Sequence, residues 1–151
     1  MTRRMLALLF TFMIGAIVGH VAIPSVGAQA QTHKSMTMTR LYTGPDNQTH
    51  AEEVEMKFTG GSPNDVFKML PVNAAELHRG AAGRVSDWHR GPRRQYVITL
   101  SGTGELEVAG GKKIPVGPGH IELIEDTTGK GHITRVTGTE ERVTLQLPIV
   151  P

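Results

Sequence analysis

The sequence predicts an all-β domain, and three observations support this prediction. Beyond residue 31 the chain contains many short, β-prone stretches at roughly even spacing, separated by turns rich in glycine. Only residues 63–70 and 73–77 have a helical pattern, and both stretches are short. The 151 residues, 38% hydrophobic and 20% charged, have the size and balance of one globular domain. A small sandwich or barrel is therefore expected over residues 31–151.

The strands are predicted in order along the chain. The first two stretches are mixed in composition, whereas the third is rich in β-branched and apolar residues. The fourth region holds two extended pieces around a Gly-Gly turn, and a Gly-Pro-Gly turn precedes the next strand. The predicted regions are 37–43, 52–58, 93–100, 105–116, 120–125, 132–136 and 142–150.

Side-chain alternation predicts that two of these strands are covered on both faces. In the stretch beginning at Gln95, one face carries Gln95, Val97 and Thr99, and the other carries apolar residues at 96, 98 and 100. The last strand has a similar pattern, with polar residues at 142, 144 and 146. We expect Gln95 to point into a semi-polar interior.

The N-terminus has the pattern of a targeting segment. Arg3 and Arg4 precede a long apolar run, and Ala28–Ala30 fits the small-residue cleavage pattern of a signal peptide. The run approaches the length of about 20 residues that spans a bilayer, so an uncleaved inner-membrane anchor is the alternative. We expect cleavage after Ala30, which leaves residues 31–151 exported to the periplasm or secreted. In this interpretation the chain meets a membrane only through residues 1–30, and only if they are retained.

Charge and cysteine content exclude several functions. Arg3 and Arg4 account for the formal net charge of +2, so residues 31–151 are formally neutral. This balance argues against nucleic-acid binding. The chain has no cysteine, which excludes disulfides, thiolate metal sites and a cysteine nucleophile.

A regular spacing of glycine, histidine and glutamine covers residues 83–102. Gly83 is followed by His89, Gly91, Gln95 and Gly102 in the frame G-x5-H-x-G-x3-Q-x6-G. This frame matches the first cupin motif, G-x5-H-x-H-x3-E-x6-G, with glycine at the second histidine position and glutamine at the glutamate position. We expect Gly102, at a strand-to-turn junction, to adopt a positive φ angle.

The second cupin motif, G-x5-P-x-G-x2-H, can be placed in two ways. One placement uses Pro115, Gly117 and His120, and the other uses Gly119 and His132. The second is preferred because Gly119 precedes one predicted strand and His132 begins the next. It predicts a positive φ at Gly119 and places His120 away from the site.

Over most of residues 40–148 the chain therefore resembles a small single-domain cupin. It looks especially like a bacterial subgroup that carries "PRRQ" at 92–95, a Gly-Pro-Gly turn and "EDTTGKGH" at 125–132. The resemblance implies a jelly-roll barrel of six to eight strands and a homodimer. We expect the extended chain after residue 31 to pair with a partner subunit. Function is not implied, because cupins include dioxygenases, isomerases, decarboxylases and binding proteins.

The resemblance also implies a metal site, and this sequence keeps part of it. Cupin sites take three histidines and one carboxylate, a donor set that suits Fe, Mn, Ni, Zn or Cu. His89 and His132 are present, Gly91 has no side chain, and Gln95 offers a neutral carbonyl oxygen. A degenerate site of His89, Gln95 and His132 is predicted to bind a divalent transition metal more weakly than the full set.

The same residues have structural alternatives. His89 could be a hydrogen-bonded loop residue, and a glutamine such as Gln95 is more often a satisfied core amide than a ligand. Arg93 and Arg94, predicted with Gln95 to bind the small-molecule ligand, alternate in direction, so at most one can point into a cavity.

Two classes of function remain open. The first is an exported small-molecule-binding cupin without catalysis, whose metal site has lost ligands. The second is a cupin enzyme of oxygenase, isomerase or decarboxylase type that acts on a small anionic substrate. In the enzyme, His89 and His132 would be the catalytic candidates, binding metal or moving protons. In a cupin barrel His89, Gln95 and His132 should converge at one mouth, and the enzyme hypothesis depends on this convergence.

Overall fold

A computed structural model describes residues 34–61 and 64–151, and these residues fold into β-strands. Short turns connect most strands, and a single 3-10 turn lies at Ala109–Gly111. The strands are β1 (Thr37–Thr43), β2 (Thr49–Glu55), β3 (Glu76–Gly80), β4 (Val85–His89), β5 (Gln95–Ser101), β6 (Thr103–Glu107), β7 (Lys113–Val116), β8 (Ile121–Glu125), β9 (His132–Thr137) and β10 (Arg142–Pro148). The all-β prediction is confirmed.

The predicted signal peptide or anchor, residues 1–30, lies outside the described residues. Among residues 34–61 and 64–151, no helix is long and apolar enough to cross a membrane.

The strands form two sheets. The six-stranded sheet has the order β2-β1-β8-β5-β10-β3, and the four-stranded sheet has the order β4-β9-β6-β7. Neighbours pair antiparallel except β1 and β8, which are parallel. Strands β1 and β8 are distant in sequence, so the N-terminal hairpin joins the sheet through a long-range contact. The sheets contribute to one apolar cluster, of Leu41, Val97 and Ile124 from the larger sheet and Leu106, Val108 and Val116 from the smaller side.

The alternation predicted for β5 and β10 is confirmed. Gln95 and Val97 line a cavity inside the molecule, whereas Tyr96 belongs to a second apolar cluster. In β10, the side chains at 142, 144 and 146 line the same cavity. The two faces of the larger sheet therefore have different roles, since one forms the interior and the other is covered by a separate segment.

The covering segment is the region in which a helix was expected, and that expectation is wrong. Residues 64–70 are irregular apart from an isolated bridge at Val66, and 73–75 form no helix. Phe67 and Met69 both pack against the cluster around Tyr96, and Leu70 donates its backbone N–H to the Tyr96 hydroxyl. Side chains two residues apart share a face only in extended chain, which explains why packing overrides the helical pattern.

Among the described residues the structure has ten strands, against the six to eight expected. Strands β3 and β4 lie in stretches that the sequence pattern did not identify. Strand β1 pairs with β2 on one side and β8 on the other. Because both of its edges are hydrogen-bonded within the chain, β1 cannot also pair with a strand of a partner subunit. The edge of the larger sheet nearest the N-terminus is therefore β2.

The positive φ angles expected at two motif glycines are confirmed, at +73° for Gly102 and +84° for Gly119. At Gly102 the chain is also crowded, because a Cβ atom there would lie 2.3 Å from the Glu141 carbonyl oxygen. Apart from its chain neighbours, no heavy atom of the described residues lies within 4 Å of a Cβ atom at Gly119. Gly102 therefore faces both a conformational and a steric restriction, and Gly119 only the first.

We predict that Gly119→Ala lowers the free energy of unfolding by about 1–2 kcal/mol and that Gly102→Ala lowers it further. Gly117→Ala is the matched control, since Gly117 has no positive φ and its added Cβ would lie more than 4 Å from every described residue except its chain neighbours. Chemical denaturation measures all three. Equal stabilities of the three variants would show that neither turn requires glycine.

Candidate functional site

A cavity of about 560 Å³ opens between the two sheets. Its wall is formed by β3, β5, β8 and β10 of the larger sheet, by β4 and β9 of the smaller one, and by the loops next to β4. Val97, Ile124 and Val136 contribute apolar surface. The polar lining residues include His78, Arg79, Arg84, Ser86, His89, Gln95, Glu122, His132, Arg142 and Thr144.

His89 and His132 lie next to each other on this wall. They are paired across β4 and β9, and their ring centroids are 4.5 Å apart. Glycine at 131 permits this approach, because a Cβ atom there would lie 2.0 Å from the His89 carbonyl oxygen. Gln95 lines the same cavity as the two rings. Their roles as metal ligands or proton carriers stay predictions.

Asp126 orients His132, and the sequence analysis did not identify it. Its carboxylate is fully buried and accepts hydrogen bonds from Nδ1 of His132, at 2.6 Å, and from the Thr49 hydroxyl, at 3.0 Å. The Asp126 backbone carbonyl accepts the N–H of Gly91, at 3.1 Å. Asp126 follows β8 in a loop, and its position in the "EDTTGKGH" stretch was the only available signal.

The hydrogen bonds of the two rings define their tautomers. A carboxylate or carbonyl oxygen only accepts, so Nδ1 of His132 donates to Asp126 and Nδ1 of His89 donates to the Asp87 carbonyl, at 2.7 Å. In the neutral rings Nε2 then carries a lone pair. Among the described residues neither Nε2 atom has a hydrogen-bond partner. Both are therefore available to a ligand.

Gln95 lines the cavity, but the two neighbouring arginines do not. Its carbonyl oxygen accepts a hydrogen bond from Nε of Arg93, at 3.1 Å, and Arg93 also pairs with Glu76, at 2.6 Å. Arg94 forms an ion pair with Glu125 on the other face of β8. The cavity-lining cations are instead Arg79, Arg84 and Arg142.

The side chains present do not fit the metal site that the resemblance implies. A Cβ atom at Gly91 would lie 2.4 Å from Cγ2 of Ile124, so this packing leaves no room for a third histidine. The Gln95 carbonyl oxygen already accepts from a cation. Within the described residues, no group of three or more His, Cys, Asp or Glu side chains is arranged to hold a metal. His89 and His132 remain as two imidazole donors.

A second polar group in the cavity was also missed by the sequence analysis. Arg142 and Glu122 are both buried, and Nη2 of Arg142 contacts Oε1 of Glu122 at 2.5 Å. The hydroxyl of Thr99 accepts from Nε and Nη2 of the same arginine, at 3.1 and 2.7 Å. Arg142 begins β10, where the alternation grouped it with residues 144 and 146 on one face without indicating a partner.

His120 lies apart from the site, as the preferred motif placement expects. It does not line the cavity, and its backbone closes the turn before β8 through hydrogen bonds with Gly117 and Thr99.

The sequence matches no family model and no curated protein. Solved structures that resemble the chain include the cupin domain of Cnp3 from Schizosaccharomyces pombe, at 16% identity over 76% of this chain and 83% of that chain, with a TM-score of 0.43. Another is an RmlC-like cupin protein from Desulfovibrio desulfuricans, at 13% identity over 93% of this chain and 100% of that chain, with a TM-score of 0.38.

Burial lowers the pKa of His89 below its ordinary value of 6.5, although the hydrogen bond to the Asp87 carbonyl opposes this shift. Because the folded pKa is below the unfolded one, neutral His89 contributes stability above about pH 6.5 that is lost as the pH falls through the folded pKa. We predict an NMR titration midpoint for His89 below 6.5. His89→Gln should lose less stability between pH 7 and 5 than the unmodified chain. A midpoint above 6.5 would contradict the prediction.

Proposed function

We propose that this chain is an exported small-molecule-binding protein of the cupin type, and that its ligand is a small organic anion. The supporting observation is the charge of the cavity wall, which carries three arginines and one carboxylate, that of Glu122. A volume of about 560 Å³ lies within the range of about 300–1,000 Å³ typical of small-molecule sites.

The three arginines differ in how far their charge is already compensated. Arg142 is paired with Glu122, and Arg79 approaches Glu141 at 3.4 Å. Among the described residues Arg84 has no ion pair, so its charge is available to a ligand. Arg84 is exposed, so solvent screens its charge, but no carboxylate of the described residues competes for it. Arg84 is therefore the proposed anion contact.

A resident metal is not part of this proposal. Two imidazoles without a third side-chain donor form an incomplete site, and the apolar contact of Ile124 with Gly91 closes the third position. The two Nε2 atoms are instead assigned to hydrogen bonding with the ligand.

Export and a homodimer are proposed with the binding function. The targeting pattern of residues 1–30 supports export. The exposed edge strands support self-association, although β1 is paired on both sides and a second copy would have to meet β2 or another edge.

We predict that Arg84→Ala weakens binding of small carboxylates by about fivefold, the equivalent of about 1 kcal/mol for a partly exposed charge contact. Arg90→Ala is the matched control, because Arg90 lies nearby, carries the same charge and does not line the cavity. Calorimetry with a panel of three- to six-carbon carboxylates measures both. An equal loss of carboxylate affinity in the two variants would show that the effect comes from the net charge of the surface and not from a contact with Arg84.

The hydrogen bond between Asp126 and His132 favours a second candidate function, acid–base catalysis without a metal. A buried carboxylate that holds the Nδ1 proton leaves Nε2 as a proton acceptor facing a cavity, the arrangement used by general bases. With a 2-oxo acid, Nε2 would take a proton from the carbon next to the carbonyl. The C–H electron pair would form the enolate double bond, and the carbonyl electrons would move to its oxygen.

This candidate predicts deuterium incorporation into 2-oxobutanoate in D₂O, because the enolate takes back a deuteron from the exchanged base. His132→Gln should slow incorporation by about a hundredfold or more, whereas His50→Gln, altered outside the cavity, should not. Proton NMR of the ligand follows the exchange. A rate equal to that in buffer alone would eliminate this enolisation, leaving the binding function as proposed.

A further inference from the structure

The ion pair of Arg142 and Glu122 leaves one polar atom of each partner without a hydrogen bond to the described residues. Nε and Nη2 of Arg142 donate to Thr99 and Glu122, while Nη1 donates no hydrogen bond to the described residues. Glu122 uses Oε1 for the arginine, and Oε2 has no such partner in the same part of the chain. A buried arginine and a buried carboxylate normally satisfy most of their hydrogen-bonding capacity.

Nη1 of Arg142 and Oε2 of Glu122 are accessible from the cavity. In the described chain, the fully enclosed side-chain polar atoms without a partner are Nε2 of His120 and Oδ1 of Asp126. Both Arg142 and Glu122 line the cavity, so the surface left on Nη1 and Oε2 is cavity surface. The wall thus offers a fixed donor beside a fixed acceptor.

The cavity wall also carries hydrogen-bond acceptors. Oε2 of Glu122 and the Nε2 atoms of His89 and His132 all carry lone pairs. An anionic group pairs with the arginines, but it has no proton for these acceptors. A ligand that carries hydrogen-bond donors as well as an anionic group would satisfy both the arginines and these acceptors.

The charge of the wall distinguishes between the two common donors. An ammonium group would lie beside Arg84 and Arg142 with only one carboxylate to offset it. A hydroxyl group is neutral and can donate to Glu122 or to an imidazole without this repulsion.

We infer that the ligand is a small polyhydroxylated carboxylate, in the class of sugar acids, and that Glu122 is the residue that selects its hydroxyl groups. This inference rests on the proposed anion-binding function and specifies its substrate class. Arg84 binds the carboxylate, while Glu122, held by Arg142, accepts a hydroxyl proton. Loss of the ligand hydroxyls leaves buried acceptors unpaired, which is the basis of strong discrimination in polar sites.

Three probes test the inference on the unmodified protein: gluconate, hexanoate and sorbitol. Gluconate carries both features, hexanoate only the carboxylate and sorbitol only the hydroxyls. Calorimetry should show gluconate binding at least about tenfold more tightly than either of the others, a ratio equivalent to about 1.4 kcal/mol. Hexanoate binding as tightly as gluconate would overturn the hydroxyl selection but leave the anion function intact. Sorbitol binding as tightly as gluconate, or no binding of either anion, would overturn both.

Two isosteric variants on β8 test whether Glu122 is the residue that selects the ligand hydroxyl groups. Glu122→Gln removes the charge of the inward acceptor, and Glu125→Gln makes the same change on the outward face, where the carboxylate pairs with Arg40 and Arg94. The ratio of hexanoate to gluconate dissociation constants should fall at least about fivefold in Glu122→Gln and stay unchanged in Glu125→Gln. An unchanged ratio in a folded Glu122→Gln variant would overturn the role of Glu122. If that variant does not fold, the three-probe comparison still decides the ligand class.

Discussion

The buried carboxylate of Asp126 is the constraint on which the site depends. A fully buried carboxylate is costly unless it accepts hydrogen bonds, and here two donors from separate parts of the chain reach one oxygen, while Oδ1 is enclosed without a partner among the described residues. Thr49 begins β2, His132 begins β9, and both donate to the same oxygen of Asp126. The Gly91 N–H donates to the backbone carbonyl of Asp126. One side chain thus couples the larger sheet to the smaller one at the cavity.

Strand β8 positions two further carboxylates, those of Glu122 and Glu125, on its opposite faces. Its alternation directs Glu122 and Ile124 into the cavity, while Glu125 faces outward between two arginines. Burial opposes ionisation of Glu125, but the ion pairs with Arg94 and Arg40 outweigh it and lower its pKa. The inward Glu122 instead meets a buried arginine, and Ile124 occupies the space beside Gly91. The strand therefore separates a surface ion network from the polar side chains of the cavity.

Part of the fold and site follows from local pattern. Strands such as β1 and β5 were predictable because alternation and β-propensity are properties of neighbouring residues. Gly102 and Gly119 were recognisable because only glycine adopts positive φ readily. The segment around Phe67 was predicted wrongly, since its extended form comes from packing against Tyr96 rather than from its own preference.

The sequence by itself determined the all-β class, the inward direction of Gln95, and the candidates His89 and His132, because each depends on spacing along one chain segment. Only the tertiary structure decided which groups these candidates meet. His132 binds Asp126, which follows β8 in a loop. Ile124 packs beside Gly91, where the cupin motif has its second histidine, and Glu122 pairs with Arg142. These contacts join segments that belong to different sheets or are distant in sequence. Such contacts depend on sheet order and register, which local periodicity does not encode.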